Sequence, residues 1–230
     1  MQYTLTSVFI LTMNVIVALA FVAILRKSGA TSRLLAIVCS ALAAWWGLVF
    51  VAFATESAFP SDLGGTTLFA VIVATVVVVT GLMFTPALRQ RLLSLPLGLL
   101  MLPQGLRAFF GAGFLIEAVL GIMPRAFGIA DGITHISAAF FALMAAYICA
   151  TSSNGRGAAW FANLFGLLDI VLVAGGIAFV LLQEIGPHHN VMYAAFFAAP
   201  IFIGLHVVTI YKLWTTEEST TVTAATSASV

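Results

Sequence analysis

Apolar residues gather in seven long runs along the chain, at 8–25, 34–54, 67–84, 96–120, 132–150, 158–183 and 191–213, parted by short polar breaks. A helix crossing the hydrocarbon of a bilayer needs about 20 predominantly apolar residues, and all seven runs are near that length. The breaks carry turn chemistry: Arg26-Lys27-Ser28-Gly29, Phe59-Pro60-Ser61-Asp62, Ser153-Asn154-Gly155-Arg156 and Gly186-Pro187. Pro96 and Pro103 interrupt the fourth run. Pro96 suits a first helical turn, whereas Pro103 kinks or restarts a helix inside it. A re-entrant start is the alternative there. The pattern predicts an all-α, polytopic membrane protein with seven transmembrane helices.

The charges orient this bundle. With the N-terminus outside, the inner loops hold Arg26, Lys27, Arg33, Arg89, Arg91, Arg156 and Lys212. The outer loops hold Glu56, Asp62, Glu184 and the boundary residue Asp131, with Arg125 as their only base. That is a positive-inside pattern, which an even number of spans would scramble, so the C-terminus is expected inside. Bases follow the first run instead of preceding it, unlike a signal peptide, so this helix is expected to stay in the protein. Tyr147, Trp160, Tyr211 and Trp214 fall at expected inner edges and Tyr193 at an outer one. Residues 1–216 form the expected seven-helix bundle. Residues 217–230, rich in Ser, Thr and Ala, read as a disordered cytoplasmic tail. No internal repeat is evident, which weighs against an inverted-repeat transporter.

Composition closes off other classes. Apolar types make up 62% of the 230 residues and charged types 7%, too little charge to coat a soluble globule and too apolar for disorder. A net charge of +1 offers no basic field, so no nucleic-acid partner is expected. Cys39 and Cys149 both fall towards the reducing inner side and belong to no CxxC pattern, so they read as packing residues. The loops are too short to house a soluble domain, and no nucleotide, zinc-protease or nucleophile-elbow motif is present. Any chemistry must sit between the helices or at their mouths.

Ionisable residues inside a span are costly, so each is a functional candidate. Arg107 and Glu117 in the fourth run, His135 in the fifth, Asp169 in the sixth and His206 in the seventh stand out, accompanied by Gln104 and Asn163. At 1.5 Å per residue, Arg107 and Asp169 lie roughly 16 Å, and His206 roughly 10 Å, from the inner ends of their helices. These three can share one layer. Arg107 is too deep to reach water and needs an anion, and Asp169 is the carboxylate at matching depth. A buried Arg107–Asp169 pair is expected, with His206 or Asn163 taking the remaining hydrogen bonds. It either fixes helix register or forms an anion or proton site in which His206 titrates. Glu117 and His135 form a second, outer layer that could pair as a relay, accept a cationic ligand or simply be wet. His188 and His189 read as solvated loop residues.

The same depths bear on cofactors, none of which is assigned. His135 and His206 differ by about 14 Å, too far to share a haem iron. The only lysines, Lys27 and Lys212, lie at helix edges, so a retinal Schiff base is not expected. Asp169 and His206 could hold a metal only with a third ligand that is not evident, so no metal is assigned. Trp45 and Trp46, at the middle of the second run, read as packing residues that could also wall a pocket. Residues 71–80 are Val-rich and uncharged, as in a lipid-facing helix.

Four segments resemble a family of small, uncharacterised bacterial integral membrane proteins: Gln104-Gly-Leu-Arg107 leading into FFGAGFL, GIMPRAFGIADGITHISA at 121–138, NLFGLLDI at 163–170, and APIFIGLHVVTIYKL at 199–213. The resemblance covers roughly residues 96–213. Gln104, Arg107, Asn163, Asp169 and His206 match its pattern, whereas an acidic residue often stands in the family where this chain has His135. It implies a bacterial inner (plasma) membrane protein and supplies no reaction. The expected function is therefore binding or translocation of a small ligand or proton through the polar cluster. An intramembrane enzyme acting on lipid, possibly metal-assisted, and an accessory subunit without a site of its own are the alternatives. Oligomeric state is open.

Overall fold

The structure, a computed structural model, describes residues 5–152 and 155–227, with side chains through Thr215. The described residues are helical throughout, joined by short turns. In chain order the helices are α1 (Leu5–Lys27), α2 (Ser32–Ala54), α3 (Gly65–Met83), α4 (Pro86–Ser94), α5 (Leu97–Met101) and α6 (Arg107–Leu120). They continue with α7 (Arg125–Thr151), α8 (Arg156–Gly176), α9 (Leu182–Ile185), α10 (Val191–Tyr193) and α11 (Ala199–Ser227). A 3-10 turn, Leu102–Leu106, joins α5 to α6, and π-helical turns at Ile177–Leu181 and Ala194–Ala198 join α8 to α9 and α10 to α11. Seven continuous helical segments are long and apolar enough to cross a membrane: Leu5–Lys27, Ser32–Ala54, Gly65–Met83, Leu97–Leu120, Arg125–Thr151, Arg156–Ile185 and Val191–Thr215. The side chains of the expected disordered tail at 217–230 lie outside the described residues.

The irregular turns have local causes. Pro103 has no N–H to give a carbonyl one turn back, and the chain tightens to 3-10 geometry around it. The fourth run therefore kinks and continues. Pro200 likewise cannot donate to the carbonyl of Phe196, and the π-turn sits directly before it. Gly121, at φ 69°, takes the left-handed conformation that closes α6, and Pro124 then opens α7. This moves the start of the fifth helix seven residues ahead of the apolar run that begins at residue 132. Pro86 similarly opens α4, a short helix in the stretch that the sequence reads as the inner loop between the third and fourth runs.

Val191–Thr215 is buried almost throughout, with α1, α2, α3, α8 and the α5–α6 segment packed around it and α7 behind, against α6 and α8. Small residues set the closest approach: a Cβ at Gly111 would meet the Gly132 carbonyl oxygen at 2.6 Å, and one at Gly132 would meet that of Gly111 at 2.8 Å. Side chains this small let two helix backbones touch, which brings α7 against α6. The ring is loose between α2 and α3, where Phe21, Val38, Trp45, Val78 and Met83 help line an apolar cleft of about 450 Å³. Trp45 also packs on Phe197 at 4.9 Å between ring centroids, so packing and cleft wall are both its roles. Val73, Val77 and Val78 are exposed along α3, as the Val-rich run implied.

Bases cluster at one end of the bundle, termed here the basic face, and clasp backbone carbonyls there. Lys212 Nζ donates to Leu93 O at 2.7 Å and to Leu95 O, Arg156 donates to Leu213 O, and Arg91 donates to Ser28 O at 3.4 Å. The opposite end, where α1 starts at Leu5, is termed the N-terminal face.

Candidate functional site

Arg107 is the first residue after the Pro103 turn and is 1% exposed. The turn aims its guanidinium across the bundle, where Nη2 donates to Asp169 Oδ2 and Nη1 donates to Gly166 O at 2.9 Å. The buried Arg107–Asp169 pair expected from matched depth is therefore present. Gly166 permits it, because a Cβ there would lie 2.7 Å from His206 Cε1 and 2.9 Å from Arg107 Nη1. His206 Nε2 sits 3.4 Å from the same Nη1. Gln104, one turn before Arg107, donates to Phe202 O at 2.9 Å and holds α11 against the turn.

Both ring nitrogens of His206 have polar neighbours. Asn163 Nδ2 donates to Ala159 O at 2.7 Å, which leaves Asn163 Oδ1 as an acceptor facing His206 Nδ1 at 2.9 Å. Nδ1 then carries the ring proton, and Nε2 presents its lone pair to Arg107. These contacts suit the neutral Nδ1–H tautomer of His206. A second proton would sit on Nε2, against the guanidinium.

His135 departs from its expected place. Its Nδ1 lies 3.0 Å from Asp169 Oδ2 and 2.8 Å from Asp131 Oδ1, beside the Arg107 pair and apart from Glu117. Because α7 starts at Arg125, His135 is ten residues along it, roughly 15 Å in, instead of near its end. The outer layer of Glu117 and His135 does not exist as a pair. The 14 Å separation of His135 and His206 fails for the same reason, and with it the depth argument about haem. Arg107 and Asp169 lie between the two rings.

Asp131, read from sequence as a helix mouth, is the residue missed. It is 4% exposed and stands four residues before His135, so one face of α7 presents both to Asp169 on α8. That spacing was the available signal. The His135 nitrogen is close to both carboxylates but aligned as a hydrogen bond with neither, and both Asp131 oxygens lack a hydrogen-bond partner. One donor atom each from Asp131, His135 and Asp169 fall within 4.8 Å of one another, a set able to share a proton or hold a metal ion. His206, the sequence candidate for a metal ligand, is not among them. A cavity of about 50 Å³ adjoins the group, walled by His135, Phe114, Ile170, Val191 and Phe202 and bordered by both π-turns.

Glu117 is buried at the other end of α6, where Asn190 Nδ2 donates to its Oε1 and to Thr6 Oγ1 at 3.0 Å. His189 is not a solvated loop residue either. Its Nε2 lies 3.1 Å from Ile122 O, and its Nδ1 accepts from Val191 N–H at 3.2 Å. Burial holds the His189 imidazole below its usual range, and the Ile122 hydrogen bond opposes that shift.

No curated protein and no solved structure matches the chain. A family described as a domain of unknown function, DUF8737, matches residues 63–214, about two thirds of the chain, from the turn before α3 through the side-chain-defined part of α11. The match takes in every residue of the Arg107 cluster and Glu117, and reaches further forward than the motifs at 96–213. By that extent, the chain belongs to the DUF8737 family.

Proposed function

We propose that this is a bacterial plasma-membrane protein, N-terminus outside and basic face inside, that binds a proton within its bundle and passes a proton or small ligand across it. The observation carrying the reading is a charge count around His135. Asp131 and Asp169 bring two negative charges to a buried group whose only fixed cation is Arg107. An uncompensated charge in a low-dielectric interior is costly. One proton on His135, whose Nδ1 lies 2.8 and 3.0 Å from the two carboxylates, makes the group neutral. His135 is thus the titrating member, while His206, Asn163 and Gln104 hold Arg107 in place. The proton enters and leaves at Nδ1, with no covalent step.

Reconstitution tests the reading. With a pH gradient across proteoliposomes, His135→Gln and Asp169→Asn abolish proton flux or proton-coupled uptake, and His206→Ala only reduces it. Wild-type flux in both His135→Gln and Asp169→Asn sinks the proposal. The three donor atoms within 4.8 Å also favour a second reading, a metal-assisted intramembrane enzyme acting on lipid. Elemental analysis separates the two, since stoichiometric bound metal lost in His135→Gln supports the enzyme. An accessory role is favoured only if a fixed partner co-purifies and works normally with Arg107→Gln.

A further inference from the structure

Glu117 plays no part in the His135 site, yet its exposure is 0%. Among the described residues no Lys, Arg or His forms an ion pair with it. Its neighbour Asn190, 6% exposed, spends its amide nitrogen on Glu117 Oε1 and Thr6 Oγ1. Two buried acceptors are then left with no hydrogen-bond partner, Glu117 Oε2 and Asn190 Oδ1. Each costs desolvation free energy while unpaired, and an ionised carboxylate costs most.

One proton satisfies both atoms. Placed on Oε2 it donates to Asn190 Oδ1, while Asn190 Nδ2 donates back to Oε1, closing an eight-membered ring of carboxylic acid and amide. We propose that Glu117 and Asn190 form a second proton-binding site, near the N-terminal face, in which Glu117 is a neutral acid at neutral pH. The proton comes from water and returns to it, with no other bond made or broken.

The surrounding groups do not supply another counter-charge. The turn carrying Asn190 brings His188 and His189, and His189 is engaged with Ile122 O and Val191 N–H. From α7, Asp131 and His135 face Asp169, and Arg125 lies exposed at the helix start. From α1, the polar side chains described at this end are the hydroxyls of Thr6 and Ser7, neither of them charged, and Thr6 hydrogen-bonds Glu117. Phe114, three residues before Glu117, sets its ring edge-on to His135 at 5.4 Å between centroids, an apolar partition between the two proton sites. The cavity beside His135 is lined by Phe114 and Val191 and by neither Glu117 nor Asn190, so the second site is separate from it.

Infrared spectroscopy of the purified full chain at pH 7 reads this directly. The wild type is expected to show the C=O stretch of a buried protonated carboxyl group, shifted in heavy water. Glu117→Gln removes that band, and Asn190→Leu moves it as the ring opens. Identical carboxyl regions in wild type and Glu117→Gln overturn the proposal. Gln also places an amide N–H where the proposed proton lies, so Glu117→Gln should unfold at the wild-type midpoint, and a large loss of stability counts against a neutral Glu117. Persistence of the band in His135→Gln supports a site independent of the first, and its loss there overturns that independence.

Discussion

Removing Asp169 probes the cluster most sharply, because it strips a buried guanidinium of its direct partner. Arg107 and Asp169 are 1% and 5% exposed at their side chains, so water does little to compensate. Breaking such a pair from one side typically costs about 3–5 kcal/mol. Arg107 keeps Gly166 O at 2.9 Å, and His135 can release its proton to rebalance the charge, so Asp169→Asn is expected at the low end, about 3 kcal/mol. That is roughly a hundredfold in the folding equilibrium. Arg107→Leu with Asp169→Leu removes both charges together and should cost less than Asp169→Asn alone, since well-packed apolar replacements of buried pairs are often near neutral. Reversible unfolding in mixed detergent micelles, followed by tryptophan fluorescence, gives both values. A loss below about 1 kcal/mol for Asp169→Asn, or a double variant as costly as the two single losses added, refutes the reasoning.

Three further outcomes follow from the packing. Gly166→Ala should cost about 1–3 kcal/mol, because its Cβ meets the His206 ring at 2.7 Å, whereas Gly175→Ala on the same helix, with nothing within 4 Å, should gain about 0.5–1 kcal/mol; the same unfolding assay ranks them. Asn14→Leu removes the donor to Tyr193 O, a 2.9 Å hydrogen bond beside the π-turn, and should cost about 1–3 kcal/mol and speed amide exchange over 194–198. His189 is neutral when folded and its proton affinity is depressed by burial, so the unfolded chain binds the proton better. The His189 contribution to stability should be flat above the usual histidine pKa of about 6.5 and be lost as pH drops below it, so His189→Asn should lessen the acid-side fall relative to the wild type, measured as unfolding midpoints across the acid range.

Apolar run length made the seven helices legible, and depth made Arg107, Asp169 and His206 legible as one layer. His135 was misplaced because run length locates where a helix turns apolar, while Pro124 and Gly121 locate where it starts. Counting from Pro124 places His135 deep, and the four-residue spacing from Asp131 then joins the two. The acceptor facing His206 Nδ1 was beyond the sequence, since it depends on Asn163 spending its amide nitrogen on Ala159 O. The Glu117–Asn190–Thr6 contact was also hidden, because it ties residues up to 184 positions apart through a turn whose path no periodicity encodes. The loose α2–α3 gap belongs to the same class, set by which helices pack and not by their composition.

The central claim is that the cluster's proton resides on His135 and not on His206. The chain has four histidines, so nitrogen-15 NMR of histidine-labelled protein in bilayers at pH 7 can resolve each, with His135→Gln and His206→Ala assigning their signals. The account predicts His135 as an imidazolium and His206 as the neutral Nδ1–H tautomer. A neutral His135 at pH 7, or an imidazolium signal that disappears with His206→Ala, contradicts it.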